Sequence, residues 1–361
     1  MKKFFLSLAI FFFIAIMAMI GYLVFFGYET NKFNSLLENK IKSNFLNLSV
    51  NIDKIKVKIN IKNLNFFITT SKPVIKYRGN KIDIKKVNAF IKLNSLISGK
   101  PNIEKVNIVS NEIKINETKT IVKYFKPSNF KRFYLNDIEK GKLLFNIDLF
   151  LKNNEIENFE VSGYVKNLFA SIEDISIKES SFIYMVKKNS GEIDNLRGFL
   201  NGFQFNSGYI KFHNAKSINV KGNLKSDIVL NKLYLSNIFK DKIQENFEDF
   251  KLTGSVQKNF KVQFDQTLKI IDYQLEASGN IKKSEIKLKD SIKYSFVKNK
   301  IKKINLEKSE FDISYNGKNE KSFSIKGSYK VNNNLFQKFN FKHLKESNLQ
   351  KISIDGNFDN E

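Results

Sequence analysis

The side chains that most often perform catalysis are scarce in this chain. Its two histidines, His213 and His343, lie far apart in unlike sequence contexts, and cysteine is absent. Without cysteine there can be no thiolate nucleophile, disulfide framework or Cys-ligated zinc or iron–sulfur site. The chain also lacks the H-E-x-x-H, G-x-S-x-G and Walker-type glycine patterns of common active sites. The sequence therefore predicts a protein that is not an enzyme and that uses no cofactor and no metal.

Two other groups of residues have simple structural interpretations. The carboxylates Asp137, Glu139, Glu155 and Glu157 lie around expected turns, and their spacing does not define a general acid and base. The glycine-rich stretch 191–208 does not follow a strand–loop–helix pattern. Its glycines are therefore expected to turn strands and not to bind phosphate.

The chain carries a formal net charge of +25 and contains 36 phenylalanines. This composition would suit nucleic acid or anionic lipid headgroups. However, the basic residues are spread along polar strand positions, and the phenylalanines mostly take apolar strand positions. Solvated lysines and buried rings are the simpler interpretation, so no nucleic-acid partner is expected.

An uninterrupted apolar run, Phe4–Phe26, predicts a transmembrane anchor over residues 4–26. As a helix it would span about 35 Å, enough to cross a bilayer with some tilt. Lys2 and Lys3 precede the run, which places residues 1–3 in the cytoplasm and the bulk of the chain across the membrane. A cleaved signal peptide is the alternative, but its apolar region would be shorter, about 7–15 residues.

Residues 30–48 are expected to form an amphipathic helix, because apolar residues recur every three or four positions. These residues are Phe33, Leu36, Leu37, Ile41, Phe45 and Leu48. The helix could lie on a membrane surface or pack as a plug on the first strands. The plug is preferred, because the segment lies between the anchor and a sheet whose end needs cover.

The rest of the chain, residues 50–361, alternates between apolar and polar residues and is punctuated by turn signals, so on the order of 20 strands are expected. In Ile55–Lys62 one strand face is aliphatic and the other cationic, and Val87–Leu93 has a similar aliphatic face. Helical periodicity returns only briefly, at Leu233–Phe250. The candidate residues for lining an apolar groove are Ile55, Val57, Ile59, Ile61, Val87, Ala89, Ile91 and Leu93.

A weak repeat of the form apolar-x-apolar-x-Gly-x-apolar runs through these strands. Its glycines are Gly163, Gly222, Gly254, Gly279, Gly327 and Gly356, and one copy has an insertion. A glycine inside a strand marks a bulge or bend, although a hairpin glycine explains any single copy equally well. The repetition favours a sheet that bends at a recurring place and curls into a trough. Residues 50–361 are therefore expected to form one elongated unit.

After the apolar run come Lys72–Tyr77, then Val87–Lys100 with its ending Asn-Ser-Leu-Ile-Ser-Gly-Lys, then Ile103–Val109 and Glu112–Ile115. This order resembles the N-terminal module of the AsmA-like superfamily, which includes the TamB and YhdP groups. Asn111 stands where that pattern often has proline. The glycine repeat is similar to the superfamily's later repeats, so the resemblance touches nearly the whole chain.

The resemblance implies a mainly β fold, with an N-terminal transmembrane helix followed by an elongated, curled antiparallel β-sheet groove (a β-taco) and a few short helices. It implies a single-pass protein of the bacterial inner membrane whose periplasmic groove takes part in phospholipid transport between membranes and in outer-membrane biogenesis. Phospholipid, the inner membrane and outer-membrane or periplasmic envelope proteins are the implied partners. An alternative stays open, because a second sheet could also cover the apolar face. The chain would then be a non-catalytic β-sandwich scaffold or assembly factor of the envelope.

Overall fold

The structure is a computed structural model that describes residues 2–32, 34–35, 38–39, 42, 47–61, 65–92, 95, 102–152, 155–172, 175–232, 247–267, 269–293, 300–317, 320–346 and 349–356. Within these ranges the chain is mainly β, with 21 strands and three helices whose bounds are described. This confirms the mainly β, antiparallel part of the predicted fold. It divides into two compact units, Met1–Lys188 and Asn189–Glu361. The continuity of residues 50–361 as one elongated unit stays a prediction.

The first unit contains all three described helices and eleven strands. The helices are α1 (Lys2–Phe25), α2 (Ile115–Val122) and α3 (Asn129–Asn136). The strands are β1 (Tyr28–Thr30), β2 (Leu48–Asn51), β3 (Ile55–Asn60), β4 (Asn65–Ser71), β5 (Val74–Tyr77), β6 (Asn80–Lys92), β7 (Ile103–Ser110), β8 (Ile113–Lys114), β9 (Ile138–Lys152), β10 (Glu155–Ile172) and β11 (Ile175–Lys187).

Helix α1 covers most of the apolar run, and the side chains described from Ile10 onward are largely exposed. Among the residues that the structure describes, no helix is both long enough and apolar enough to span a membrane. Membrane insertion of residues 4–26 stays a prediction. Of the helix predicted at 30–48, the described residues 34–35, 38–39 and 42 are helical, which confirms its middle part. Its two ends are instead strand residues, Thr30 in β1 and Leu48 in β2.

The main sheet of the first unit runs in the order β1-β3-β4-β6-β7-β9-β10-β11, with antiparallel neighbours. Strand β6 is shared between two sheets. Its first residues pair with β5, which pairs in turn with β2, whereas its later residues lie between β4 and β7. Ile84 is buried where β6 passes from one sheet to the other.

A few short helices were expected, but the positions of α2 and α3 were not predicted. Strand β8 ends at Lys114, and α2 begins at the next residue, Ile115. Helix α3 begins after Ser128, whose hydroxyl accepts a hydrogen bond from the backbone N–H of Lys131 as an N-cap does. Both helices pack on β9–β11 over a small core made of Ile115, Ile138, Val165, Leu168 and Ala170.

The second unit is made of ten strands. They are β12 (Ser190–Leu200), β13 (Phe203–Phe205), β14 (Ser207–Asn214), β15 (Ile218–Asn231), β16 (Phe247–Phe264), β17 (Ile270–Ile292), β18 (Ile301–Asn316), β19 (Lys321–Val331), β20 (Gln337–Glu346) and β21 (Leu349–Gly356).

From β14 to β21 each strand pairs antiparallel with the next one in sequence. Strand β12 pairs with both β13 and β14. The helical periodicity noted at Leu233–Phe250 falls largely on residues 233–246, which lie outside the described residues. Its last part was wrong as a helix, because Phe247–Phe250 begins strand β16.

Five of the six glycines of the repeat, all except Gly356, lie where neighbouring strands approach closely. Gly222 pairs with Phe260 and Gly279 pairs with Phe311, and in both pairs the ring lies within 3 Å of where a Cβ would be. Beside Gly254 the register shifts, so that β17 carries one extra residue. The glycines therefore make room for cross-strand rings as well as marking an irregularity.

Candidate functional site

The register of the first unit gathers aliphatic residues into rows across the sheet. One row of direct partners crosses seven strands: Ile55, Thr70, Val87, Ile108, Ile147, Val161 and Val186. A second row crosses six: Val57, Ile68, Ala89, Val106, Leu149 and Phe159. A third consists of Ile59, Phe66, Ile91 and Ile103. These three rows are the first apolar face.

Six of the eight candidate groove residues lie on the first apolar face. Strand β4 sits between the two predicted segments and brings Ile55, Val57 and Ile59 into rows with Val87, Ala89 and Ile91. Ile61 follows the end of β3 and is 58% exposed, so it is not part of the paired rows. Leu93 lies outside the described residues. The sequence missed β4 as the connecting strand, although Phe66-Phe67-Ile68 signals it.

The first apolar face is only partly covered. Ile55 and Thr70 are buried, but every other member of the two longer rows is half-exposed. Cross-strand aliphatic neighbours remove part of each side chain from water, and the remaining apolar area stays available to a ligand or partner. The first apolar face is therefore enclosed at Ile55 and Thr70 and is an open apolar surface elsewhere.

The opposite side of the same strands carries a polar network next to a row that contains Phe67, Phe90 and Phe150. The Asn88 amide donates to Asn107 Oδ1 at 3.0 Å, and the Asn107 amide donates to Asn146 at 2.6 Å and to Asp148 at 2.7 Å. Lys105 forms an ion pair with Asp148 at 3.0 Å. The charged and amide groups of this network distinguish the opposite side from the first apolar face, whose rows contain no charged residue.

The small core under α2 and α3 closes one part of the first unit. Tyr134 and Thr118 share a hydrogen bond between their hydroxyls, and the Tyr184 hydroxyl donates to the Leu144 carbonyl at 3.2 Å. Burial raises the pKa of both tyrosines above the usual value of 10.0. Neither is thereby activated as a proton-transfer group near neutral pH, and both serve as polar anchors of apolar packing.

The most strongly shifted carboxylate is on the surface. Glu112 accepts from Lys142 at 2.8 Å, from Lys166 at 3.2 Å and from the Tyr164 hydroxyl at 3.2 Å. These hydrogen bonds, led by that from Lys142, lower the pKa of Glu112 to about 2. The lowered pKa means that the charged carboxylate is stabilised, and no second acid faces Glu112 in this cluster. The arrangement is therefore an ion-pair network and not a general acid–base pair. In the described part of the chain, no group of three acidic, His or Cys residues is placed to hold a metal ion.

The second unit repeats the one-sided arrangement. One row runs across seven strands: Ser226, Val256, Gly279, Phe311, Ile325, Phe341 and Ile354. Its neighbour runs across eight: Gly208, Leu224, Lys258, Ala277, Ile313, Phe323, His343 and Ile352. A third consists of Ile210, Gly222, Phe260, Leu275 and Tyr315. These rows are the second apolar face, most of whose members are half-exposed or exposed.

Lys258 is a residue of interest that the sequence analysis did not single out. It occupies an apolar position of β16, between Leu224 and Ala277 in its row. The signal was present, because Lys258 interrupts the series Leu252, Val256, Phe260 and Val262 at positions of the same parity.

Comparison with known proteins does not identify a family. No protein-family model matches the chain, and no curated protein and no solved structure matches it either.

Proposed function

We propose that this chain is a membrane-anchored protein of the bacterial cell envelope, of the AsmA-like type, whose apolar sheet faces bind phospholipid acyl chains during transport between membranes. The observation that carries the proposal is the first apolar face. Its rows cross six and seven paired strands without a charged residue, yet most of their members remain half-exposed. An apolar surface of this kind is suited to acyl chains, which need area and not directed hydrogen bonds.

Helix α1 supports the membrane part of the proposal. Its sequence has no charge from Phe4 to Phe25, and its apolar side chains face outward, as at Phe11, which is 67% exposed. Exposed rings along a helix are stable in lipid and costly in water. We propose residues 4–26 as the inner-membrane anchor, with the preceding lysines in the cytoplasm and the sheets in the periplasm.

The absence of tryptophan from the chain allows a clean test, because one introduced tryptophan is the sole indole reporter. The full-length variants Phe159→Trp and Phe150→Trp would be reconstituted in phosphatidylcholine vesicles whose acyl chains carry bromine, a contact quencher of indole fluorescence. Phe159 lies on the first apolar face, paired with Leu149, whereas Phe150 lies on the opposite side, paired with Lys105.

The proposal predicts strong quenching at position 159 and weak quenching at position 150. Equal quenching at both positions would mean that the sheet lies on the bilayer and has no lipid groove. No quenching at either position, together with a blue-shifted emission at 159, would favour the β-sandwich scaffold, because protein and not lipid would then cover the face.

A further inference from the structure

The second apolar face contains one half-buried cationic group without a counter-charge. At the directly paired positions of this face from β14 to β18, Lys258 is the only charged side chain that the structure describes. Among the described residues Lys258 forms no ion pair, whereas Lys221 and Lys261, its neighbours on the opposite side, are exposed. A half-buried ammonium without a partner is unfavourable, unless a ligand supplies an anion.

The surroundings of Lys258 form a cavity of about 150 Å³. Leu200, Phe203, Phe205 and Leu224 give it apolar walls, and Asn201 and Ser226 also line it. The Lys258 Nζ atom lies 5.4 Å from the centroid of the Phe203 ring. This volume is about ten times the roughly 10–15 Å³ that a cavity needs to hold one water, so a phosphate-sized group fits beside the ammonium.

Burial lowers the pKa of Lys258 from its ordinary value, and no acidic group offsets this effect. The direction of the shift agrees with the geometry, because both reflect an ammonium that has lost water without gaining a carboxylate. An anion bound in the cavity would reverse the shift and stabilise the charged form.

We propose that Lys258 is a headgroup site within the second apolar face, which selects phospholipids of net negative charge by binding the headgroup phosphate while the acyl chains lie along the neighbouring rows. The proposal rests on the proposed lipid-binding function. A zwitterionic lipid carries an ammonium close to its phosphate, and none of the paired positions described on this face offers that ammonium a carboxylate. Charge complementarity therefore favours the anionic headgroup.

The test uses the full-length chain with the reporter Phe212→Trp. Phe212 lies on the same face as Lys258. It pairs with Val220 of β15, which pairs in turn with Val262, four residues from Lys258 on β16. In the first titration, quenching of the tryptophan is measured as brominated phosphatidylglycerol is increased in vesicles of unbrominated phosphatidylcholine. In the second, brominated phosphatidylcholine is increased in vesicles of unbrominated phosphatidylglycerol. The ratio of the two apparent association constants is the headgroup preference. We expect roughly fivefold in favour of phosphatidylglycerol, the Boltzmann factor for one pair of unit charges in contact across water.

Lys258→Met should bring this preference to about one while quenching itself persists, because methionine keeps the apolar stem and removes the charge. Lys258→Arg should retain the preference. Lys261→Met is the matched control, since it removes the same charge from the same strand on the opposite side. It should retain the preference, which excludes a general effect of the basic surface.

The failures are distinguishable. An unchanged preference in Lys258→Met, or an equal loss in Lys261→Met, overturns the headgroup site but leaves lipid binding in place. Absence of quenching by either lipid in the parent reporter overturns the proposed function, and the headgroup site with it.

Discussion

Replacing Gly254 with alanine should destabilise the second unit, because the new methyl group has no space. A Cβ at Gly254 would lie 2.1 Å from the Asn280 carbonyl oxygen and 3.2 Å from Ile281 Cα, both backbone atoms of β17. The shorter distance is about 1.3 Å less than ordinary contact, which begins at 3.4 Å. Backbone in a paired strand cannot rotate away as a side chain can, so β16 and β17 must separate locally.

Overpacking of this kind costs about 1–3 kcal/mol. Alanine also restricts the unfolded chain, which offsets about 0.4–1 kcal/mol. A net loss of about 1–2 kcal/mol corresponds to a fall of roughly 2–8 °C in the unfolding midpoint for a unit of this size. The full-length chain with Phe212→Trp would report this midpoint by fluorescence from the second unit alone.

Gly356→Ala is the matched control, because Gly356 belongs to the same sequence repeat. Its nearest neighbour, the Lys338 carbonyl oxygen, would lie 3.1 Å from the new Cβ, which a small shift relieves. The midpoint of Gly356→Ala should stay within about 2 °C of the parent value. An unchanged midpoint in Gly254→Ala, or an equal fall in both variants, would refute the assignment of the repeated glycine to close strand approach.

Three other outcomes are expected. In the Phe212→Trp reporter, Ile228→Asp should weaken the quenching of tryptophan by brominated lipid, because Ile228 lies on the second apolar face. Val229→Asp should leave the quenching unchanged, because Val229 is 71% exposed on the other side of β15. Equal effects would contradict the assignment of faces. Ser110→Ala should lower the free energy of unfolding, measured by urea titration, by about 1–3 kcal/mol. The reason is that the fully buried Ser110 hydroxyl accepts a 2.9 Å hydrogen bond from a backbone N–H of β9. Ser49 is exposed, so Ser49→Ala should leave the free energy of unfolding unchanged. The pKa of Glu112 is lowered from 4.5 to about 2, so the stability that its carboxylate contributes is complete above pH 4.5 and is lost as the pH falls to about 2. The difference in thermal midpoint between the parent and Glu112→Gln should therefore shrink over that pH range. A difference that stays constant would contradict this contribution.

Strand phase was the most predictable property, because it depends on local alternation. Ile55, Val57 and Ile59 share a face as their spacing predicted, and β6 gathers Val87, Ala89 and Ile91 in the same way. A period of two assigns each side chain to a side of the sheet wherever the strand lies. The sequence therefore predicted which residues share the apolar face without knowledge of the strands that pair with each other.

The features that depend on partners distant in sequence were not predictable in the same way. The bulge at Lys308, which has a φ of 46°, lies opposite Gly327 and buries Ser309 completely. Nothing local to Lys308 specifies a left-handed conformation, which is imposed by the strand it meets. Helix α2 was missed because eight residues give too little periodicity, although Ser128 before α3 was a readable cap signal.

The pairing of each strand with its successor from β14 to β21 has a consequence for how this architecture is built and diversified. A hairpin can pair with the strand that precedes it without waiting for distant parts of the chain, so assembly can proceed in the order of synthesis. Stability then accumulates from neighbour to neighbour, as in other repeat proteins. Adding or deleting a pair of strands changes the length of the face while leaving the remaining contacts intact, so evolution can adjust its reach by duplication alone.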